Sequence, residues 1–143
     1  MLALTIAVAA LAAGASGLAS PLDPAPHAAA SVYVIDGDTI VADRVRIRLL
    51  GVDSPEFVHP RCDHERDLAV AARDRMKALL ATGEVTFIPG LNADGSGDSY
   101  GRTLAHVFAG GVDVGDVMLH DGYALVWHPG RDAKVERLSH WCP

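Results

Sequence analysis

The sequence is poor in several features that mark particular classes of protein. Of its 143 residues only two are cysteines, and 6% are aromatic. Lysine and arginine number 12 against 18 aspartates and glutamates, which gives a formal net charge of −6. This balance argues against a protein that holds nucleic acid through bulk positive charge. Such a ligand would have to be bound by local groups or by a metal ion.

The chain also has no apolar run long enough to cross a membrane as a helix. Its most apolar stretch, residues 1–13, is uncharged but falls short of the about 20 residues that a span requires. Small residues and Pro21 follow, a pattern typical of a signal peptide and its cleavage site. No basic residue precedes the run, and a buried N-terminal helix is the alternative. We expect residues 1–19 to be a signal peptide for secretion or export to the periplasm, leaving no stable membrane span after processing.

The segment that follows is rich in proline and alanine. Residues 20–30 contain three prolines and no periodicity, which predicts a flexible linker. Residues 31–143 have a globular composition with no repeat and no low-complexity tract. They are too few for two full-sized domains, so one domain is expected.

Cys62 and Cys142 lie 80 positions apart. In an exported protein an even number of cysteines favours a disulfide, which here would tie the C-terminal tail to the middle of the domain. Two free thiols are the main alternative. A zinc site built from His59, Cys62 and His64 is less favoured, because no second pair of ligands completes a familiar zinc spacing.

Three short apolar segments open the predicted domain. The third, residues 45–50, alternates apolar residues with arginines, so the strand has one apolar and one basic face. Asp36-Gly37-Asp38 and Asp43-Arg44 lie between the segments, as turns do in β-hairpins. A three-stranded antiparallel meander is predicted over residues 31–35, 39–42 and 45–50.

Helical periodicity begins after a loop over residues 51–64. Leu68, Ala72 and Met76 recur at helical spacing, acids precede them, and Gly83 occupies the place of a C′ glycine. Strands are predicted at 84–89 and 103–108 with a glycine-rich loop at 92–98 between them. A short helix capped by Asp113, an extended piece at 124–127 and a helix at 131–140 follow. The fold class is therefore α+β, a small partly closed barrel with helices packed on it.

Two acids lie where the meander is expected to bring them to one edge. Asp38 follows the first turn and Asp53 the third strand, and Ser54 offers a further oxygen. Two carboxylates with such an oxygen and water suit Ca²⁺. Each piece also has an ordinary explanation, since Asp-Gly commonly forms a plain turn and Asp before Ser-Pro commonly caps a loop.

Two arginines accompany these acids. Arg48 is placed at the same rim as Asp53, and Arg102 begins a later strand. Guanidinium groups and a metal ion can stabilise charge on a phosphate while a carboxylate takes a proton from water, so the set suits phosphoryl transfer. Solvated ion pairs on the surface are the alternative.

Four segments in this order resemble the staphylococcal (micrococcal) nuclease family. They are residues 34–39 (VIDGDT), 48–56 (RLLGVDSPE), 98–102 (DSYGR) and 122–124 (GYA). The resemblance runs from about residue 31 to 127. It implies a five-stranded OB-type barrel with about three helices, and a Ca²⁺-dependent endonuclease. Such an enzyme hydrolyses phosphodiester bonds of DNA or RNA with little sequence specificity and leaves 3′-phosphates.

The resemblance also implies roles for individual residues. Asp38, Asp53 and Ser54 match the calcium ligands, and Asp36 lies near them in support. Glu56 matches the general base. Arg48 and Arg102 match the phosphate-binding arginines, and Tyr100 matches a nucleotide-binding tyrosine. Ser99 replaces the family's lysine, and Trp127 stands near the place of its base-lining tyrosines, where it can stack on a base. We expect a monomer whose polynucleotide binding is weak for the family, because the chain is acidic. A non-catalytic nucleic-acid- or protein-binding module on the same fold is the alternative.

Overall fold

The computed structural model describes residues 25–90 and 98–143, which form a curled mixed sheet with three helices packed against it. The strands are β1 (His27–Ala28), β2 (Val32–Val34), β3 (Thr39–Ala42), β4 (Val45–Leu49), β5 (Val52–Asp53), β6 (Val85–Pro89), β7 (Thr103–Ala109), β8 (Val112–Asp113) and β9 (Leu125–Val126). The helices are α1 (Asp63–Leu80), α2 (Val114–His120) and α3 (Arg131–Trp141). The predicted α+β fold of OB type is confirmed. The predicted signal peptide and nearly all of the loop predicted at 92–98 lie outside the described residues.

The main sheet is a half-barrel of mixed direction. Its order is β1-β6-β7-β4-β3-β2, with β8 paired to β7. Only β4 and β7 run parallel among these neighbours, and the predicted meander forms β2, β3 and β4. The short strands β5 and β9 pair with each other, so Asp53 lies opposite Leu125. This pairing brings the chain after residue 120 back to the loop that follows β4.

The sheet begins earlier in the chain than predicted. Strand β1 lies inside the segment 20–30, for which the prolines predict a flexible linker. His27 pairs with Phe87 of β6, their rings stack with centroids 5.1 Å apart, and the Ala29 N–H donates to the Val85 carbonyl at 2.8 Å. The last proline of the segment precedes His27, so the residues after it have the N–H groups that an edge strand needs.

The β3–β4 hairpin has a tight two-residue turn. Asp43 and Arg44 have positive φ angles of 47° and 72°, the conformation that matches the twist of the flanking strands. The Asp43 carboxylate accepts the N–H groups of Ala30 (3.0 Å) and Ser31 (2.8 Å). These bonds fix the turn that sets the register of β4, and with it the position of Arg48.

Helix α1 covers one face of the sheet. Ala72 and Met76, both predicted at the helical spacing, are fully buried. Gly83 has no positive φ and does not cap the helix; a Cβ there would lie 2.7 Å from the Gly110 Cα, so this glycine permits a close backbone approach. Gly122 does close α2, with a φ of 78°. No helix in residues 25–90 and 98–143 is long and apolar enough to cross a membrane.

A disulfide joins Cys62 to Cys142, the favoured alternative of the sequence analysis. Cys62 is the N-cap of α1, where its Sγ accepts the Glu65 N–H at 3.3 Å, and Cys142 follows the last turn of α3. The bond therefore fastens α3 to the start of α1. It also leaves no thiolate for the zinc site considered above.

Removing this disulfide should destabilise the domain markedly. In the double variant Cys62→Ser and Cys142→Ser, the hydroxyl introduced at the N-cap position can still cap α1, so the change isolates the cross-link. Loss of a bond that closes an 80-residue separation is expected to lower the free energy of unfolding by about 2–5 kcal/mol. Urea denaturation measures the free energy of unfolding, and the reduced wild-type protein should unfold at the same urea concentration as the variant. Equal unfolding midpoints for oxidised wild type and variant would contradict the prediction.

Candidate active site

One groove of about 890 Å³ gathers the predicted catalytic, metal-binding and nucleotide-binding residues. Those that line it are Asp36, Asp38, Arg48, Asp53, Ser54, Glu56, Tyr100, Arg102 and Trp127. They come from the β2–β3 turn, β4, β5 and the loop after it, the segment before β7, and the segment after β9. The half-barrel thus brings together side chains spread over 92 sequence positions, from 36 to 127.

The β2–β3 turn holds the first carboxylate in place. The Asp36 Oδ1 accepts the Asp38 N–H at 3.0 Å, a side-chain bond typical of tight turns. The buried Asp38 carboxylate accepts the Thr39 hydroxyl at 3.0 Å and the Ser54 N–H at 2.6 Å. The last bond fastens the turn to the loop after β5 and brings Asp38 next to Ser54.

Gly37 permits this arrangement. A Cβ at this position would lie 2.8 Å from the Cβ of Ala72 in α1 and 2.8 Å from the Cβ of Ser54. Carbon atoms do not approach so closely without displacement of one neighbour. The Asp-Gly pair that predicted a turn is therefore also a packing requirement of the site.

Arg48 bridges the two predicted metal ligands. Its Nη2 donates to Asp53 Oδ1 at 2.7 Å, and its Nη1 lies 2.9 Å from Asp38 Oδ2 in an ion pair without hydrogen-bond geometry. The strand alternation explains its place, because Ile47 and Leu49 on either side are buried in the core. Both carboxylates and the guanidinium therefore face one point of the groove.

Arg137 is a site residue that sequence reasoning missed. Its side chain is buried, and its Nε donates to Asp53 Oδ2 at 2.9 Å while its Nη1 donates to the His128 carbonyl at 3.2 Å. Arg137 thus ties α3 to the second acid across 84 positions. The sequence offered one indication that Arg137 is buried. It lies four residues before Trp141, so the two side chains share one face of α3, and both are buried there.

The carboxylates of the groove repel one another. Burial, together with the neighbouring Asp38 carboxylate, raises the pKa of Asp36 to about 7. Burial and Asp38 also raise the pKa of Asp53, in spite of the opposing effect of Arg48 and Arg137. A cation bound at this edge would favour the ionised form of both carboxylates.

Glu56 has the accessibility that a general base needs. It is exposed at the rim of the groove, two residues after Ser54. Its Oε1 accepts the Val58 N–H at 3.1 Å, a bond within its own loop. The carboxylate can accordingly reach a water molecule in the groove without breaking an ion pair to any residue that the structure describes.

Arg102 enters the groove from the segment before β7. The Arg102 side chain donates from Nε to the Asp98 carboxylate at 2.6 Å, and the Arg102 backbone N–H donates to the same carboxylate at 2.9 Å. The centre of the Tyr100 ring lies 5.2 Å from the guanidinium carbon. These contacts hold the guanidinium at a fixed place on the groove wall. Tyr100 itself is 81% exposed and Trp127 48% exposed, so both rings can stack on bases.

The groove has balanced charge, although the chain is acidic. Its lining includes five acids and five bases, so it takes five of the twelve lysines and arginines of the sequence. The bases are Arg46, Arg48, Arg102, Lys134 and Arg137. The groove lining is therefore less acidic than the chain as a whole.

The acidic edge suits a hard cation. No group of three or more His, Cys, Asp or Glu side chains that could hold a metal occurs in residues 25–90 and 98–143. Asp38 and Asp53 nevertheless converge on one guanidinium, and Ser54 adds oxygen atoms beside them. Such a donor set, completed by water, is the oxygen-only kind that Ca²⁺ takes. The residues present fit Ca²⁺.

Comparison with known proteins gives matches over most of the chain. The family model described as staphylococcal nuclease homologue matches residues 46–141. A thermonuclease of Staphylococcus intermedius is 42% identical over 126 residues, which cover 76% of this chain and 72% of that protein. A thermonuclease of Staphylococcus hyicus is 35% identical over 98 residues, with 65% and 55% covered. A staphylococcal-like nuclease of Arabidopsis thaliana is 30% identical over 106 residues, with 73% of this chain but only 28% of the plant protein covered.

Proposed function

Because the chain belongs to the staphylococcal nuclease family, we propose that it is a Ca²⁺-dependent endonuclease of low sequence specificity. Its substrates are the phosphodiester bonds of DNA or RNA, and its products carry 3′-phosphates. The observation that supports this proposal most strongly is the convergence of Asp38 and Asp53 on Arg48, with Glu56 and Arg102 on the same groove. These are the groups that the hydrolysis of a phosphodiester needs.

Each side chain has one part in the reaction. Arg48 and Arg102 bind the non-bridging oxygens of the scissile phosphate and stabilise the charge that develops on them. Glu56 takes a proton from the water that attacks phosphorus. The bond from phosphorus to the 5′ oxygen breaks, the leaving oxygen takes a proton from water, and the phosphate stays on the 3′ side. Asp38, Asp53 and Ser54 would hold Ca²⁺, which would supply a Lewis acid for the phosphate oxygens.

Cleavage assays test the proposal. The full-length protein should hydrolyse single-stranded DNA or RNA with Ca²⁺ and lose activity with excess EGTA, and end-group analysis should find 3′-phosphates. The Glu56→Gln variant, purified in parallel, excludes a contaminating nuclease. A folded protein that binds oligonucleotides without cutting them would instead be the non-catalytic binding module.

Two positively charged side chains of the groove can bind phosphates of the nucleic acid away from the scissile bond. Arg46 and Lys134 are exposed on the groove, and their side chains make no ion pair within the described chain. Arg46→Ala and Lys134→Ala should each raise KM for long polynucleotides and leave kcat unchanged. Each should also reduce, by about 1, the slope of the logarithm of the binding constant against the logarithm of the salt concentration. Lys77→Ala, an exposed lysine away from the groove, is the matched control. A dependence of KM on salt that is identical in all four proteins would exclude these phosphate contacts.

We also propose that the protein acts outside the cytoplasm, as a monomer. The uncharged run of residues 1–13 supports export. The disulfide between Cys62 and Cys142 supports an oxidising compartment. Secretion of the tagged full-length chain, with mass analysis of its N-terminus, tests both the export and the cleavage site.

A further inference from the structure

A fully buried carboxylate lies behind the groove, outside the machinery described above. Glu65, in the first turn of α1, has 0% of its surface exposed. Glutamate is almost never so buried unless its charge is compensated, because removing a carboxylate from water is costly. Its partners therefore show what it does in this fold.

Four donors satisfy the two oxygens of Glu65. Oε1 accepts the Glu56 N–H at 3.2 Å and the Arg61 Nη2. Oε2 accepts the Arg61 N–H at 2.7 Å and the Arg61 Nε at 3.0 Å. Each oxygen thus takes one backbone N–H and one guanidinium nitrogen, and the two N–H groups belong to the two ends of the loop 56–61.

This carboxylate is the hydrogen-bonded anchor of that loop. Within the described chain, the hydrogen bonds that residues 56–61 donate to side chains outside the loop all go to Glu65. Phe57 adds one further contact to α1, with its ring 4.2 Å from the Arg73 guanidinium carbon. The exposed side chain of Glu56 therefore depends on Glu65 for the position of its backbone.

Glu65 is in turn held rigidly. Its N–H donates to the Cys62 Sγ at 3.3 Å, and its Oε2 lies 3.9 Å from the Cys142 Sγ, so the disulfide shields it from water. Burial alone would raise the pKa of Glu65, but the bonds from Arg61 and from the Glu56 N–H outweigh burial and hold that pKa below its usual range. The anchor is thus an ionised carboxylate at the N-terminus of a helix, where negative charge is favoured.

We infer that Glu65 is the positioning residue for Glu56: it closes the loop 56–61 against α1 and so fixes the catalytic carboxylate over the groove. The inference rests on the proposed function of Glu56 as the general base. A base must stay within hydrogen-bond reach of the attacking water, and misplacement by about 1 Å can cost about 100-fold in rate.

Glutamine at position 65 cannot replace this anchor. A carboxylate has an acceptor oxygen for each end of the loop, whereas an amide has one oxygen and one NH₂ group. Whichever way the amide turns, either the Glu56 N–H or the Arg61 N–H faces a donor. The Glu65→Gln change therefore releases one end of the loop while keeping the size of the side chain.

The test combines kinetics with amide hydrogen exchange on the full-length protein. In Glu65→Gln, kcat should fall about 10- to 100-fold, with KM and the Ca²⁺ dependence unchanged, and amides of residues 57–61 should exchange faster. Asp63→Asn makes the same charge change two residues away on an exposed side chain and should alter neither readout. If Glu65→Gln does not fold, Arg61→Ala removes two of the four donors and should show the same effects in weaker form.

A double-variant cycle separates positioning from general destabilisation. In the background of Glu56→Gln, the Glu65→Gln change should cost little further activity, because the group that it positions is already absent. An equal loss of kcat in both backgrounds, or an unchanged kcat or loop exchange in Glu65→Gln, would overturn the inference. An inactive wild-type protein would refute the proposed function instead, and loop exchange alone would then decide whether Glu65 is the anchor.

Discussion

Replacing Glu56 with glutamine should lower kcat about 10²- to 10⁴-fold, because the amide cannot accept a proton from the attacking water. Within residues 25–90 and 98–143, the exposed carboxylate accepts one hydrogen bond, from the Val58 N–H, and the amide oxygen can also accept it. The loop should therefore keep its conformation, and Ca²⁺ binding should be nearly unchanged. Steady-state hydrolysis of an oligonucleotide, with calorimetry for Ca²⁺, measures both quantities.

The control for this variant is Glu136→Gln. Glu136 is exposed on α3 and lies outside the groove, so the same change of charge there should leave kcat at its wild-type value. A Glu56→Gln enzyme with wild-type kcat would remove Glu56 from the role of base. A variant that loses Ca²⁺ binding along with activity would assign Glu56 to the metal instead.

Replacing Arg102 with alanine should lower kcat about 10²- to 10³-fold, as loss of a donor to transition-state charge does. Asp98 and Tyr100 hold the guanidinium in place before substrate arrives, so the interaction needs little rearrangement. The interaction between the Arg102 guanidinium and the phosphate should be strongest in the transition state, where the phosphate oxygens carry the most charge. The effect is accordingly expected in kcat more than in KM.

Arg131→Ala is the matched control for this second variant. Its side chain is 92% exposed, and it does not line the groove. Loss of one positive charge there should leave kcat unchanged. If Arg102→Ala raised KM and left kcat unaltered, Arg102 would be a residue for substrate binding alone.

The meander of β2, β3 and β4 was predictable because its signals are local. The alternation of arginines with Val45, Ile47 and Leu49 gives the face and the register of β4, and the two-residue turn at Asp43 gives the hairpin. These features place Arg48 beside Asp53 before any tertiary contact is known. The edge with Asp38, Asp53 and Arg48 followed from the same reasoning, since consecutive strands bring their ends to one edge. The roles expected of Glu56, Tyr100 and Trp127 came from the family resemblance instead.

The parts that sequence reasoning missed depend on contacts between distant segments. Arg137 reaches Asp53 only because the disulfide and the β5–β9 pair return the end of the chain to this edge. Glu65 has an ordinary place near the start of a helix, and nothing local indicates that two ends of a loop would bind to it. The strand at His27 was missed because the nearby prolines dominate the composition of its segment.

The most direct test of the central claim is a Ca²⁺ titration of the cleavage rate, comparing the wild-type protein with Asp53→Asn. Free Ca²⁺ is raised from a level buffered with EGTA, and the cleavage of a labelled single-stranded oligonucleotide is followed. The wild-type rate should start from zero and saturate, whereas Asp53→Asn should need far more Ca²⁺ or remain inactive, because it lacks one of two carboxylate ligands. Wild-type cleavage that persists in EGTA, or an Asp53→Asn titration that matches the wild type, would contradict a calcium site at Asp38 and Asp53.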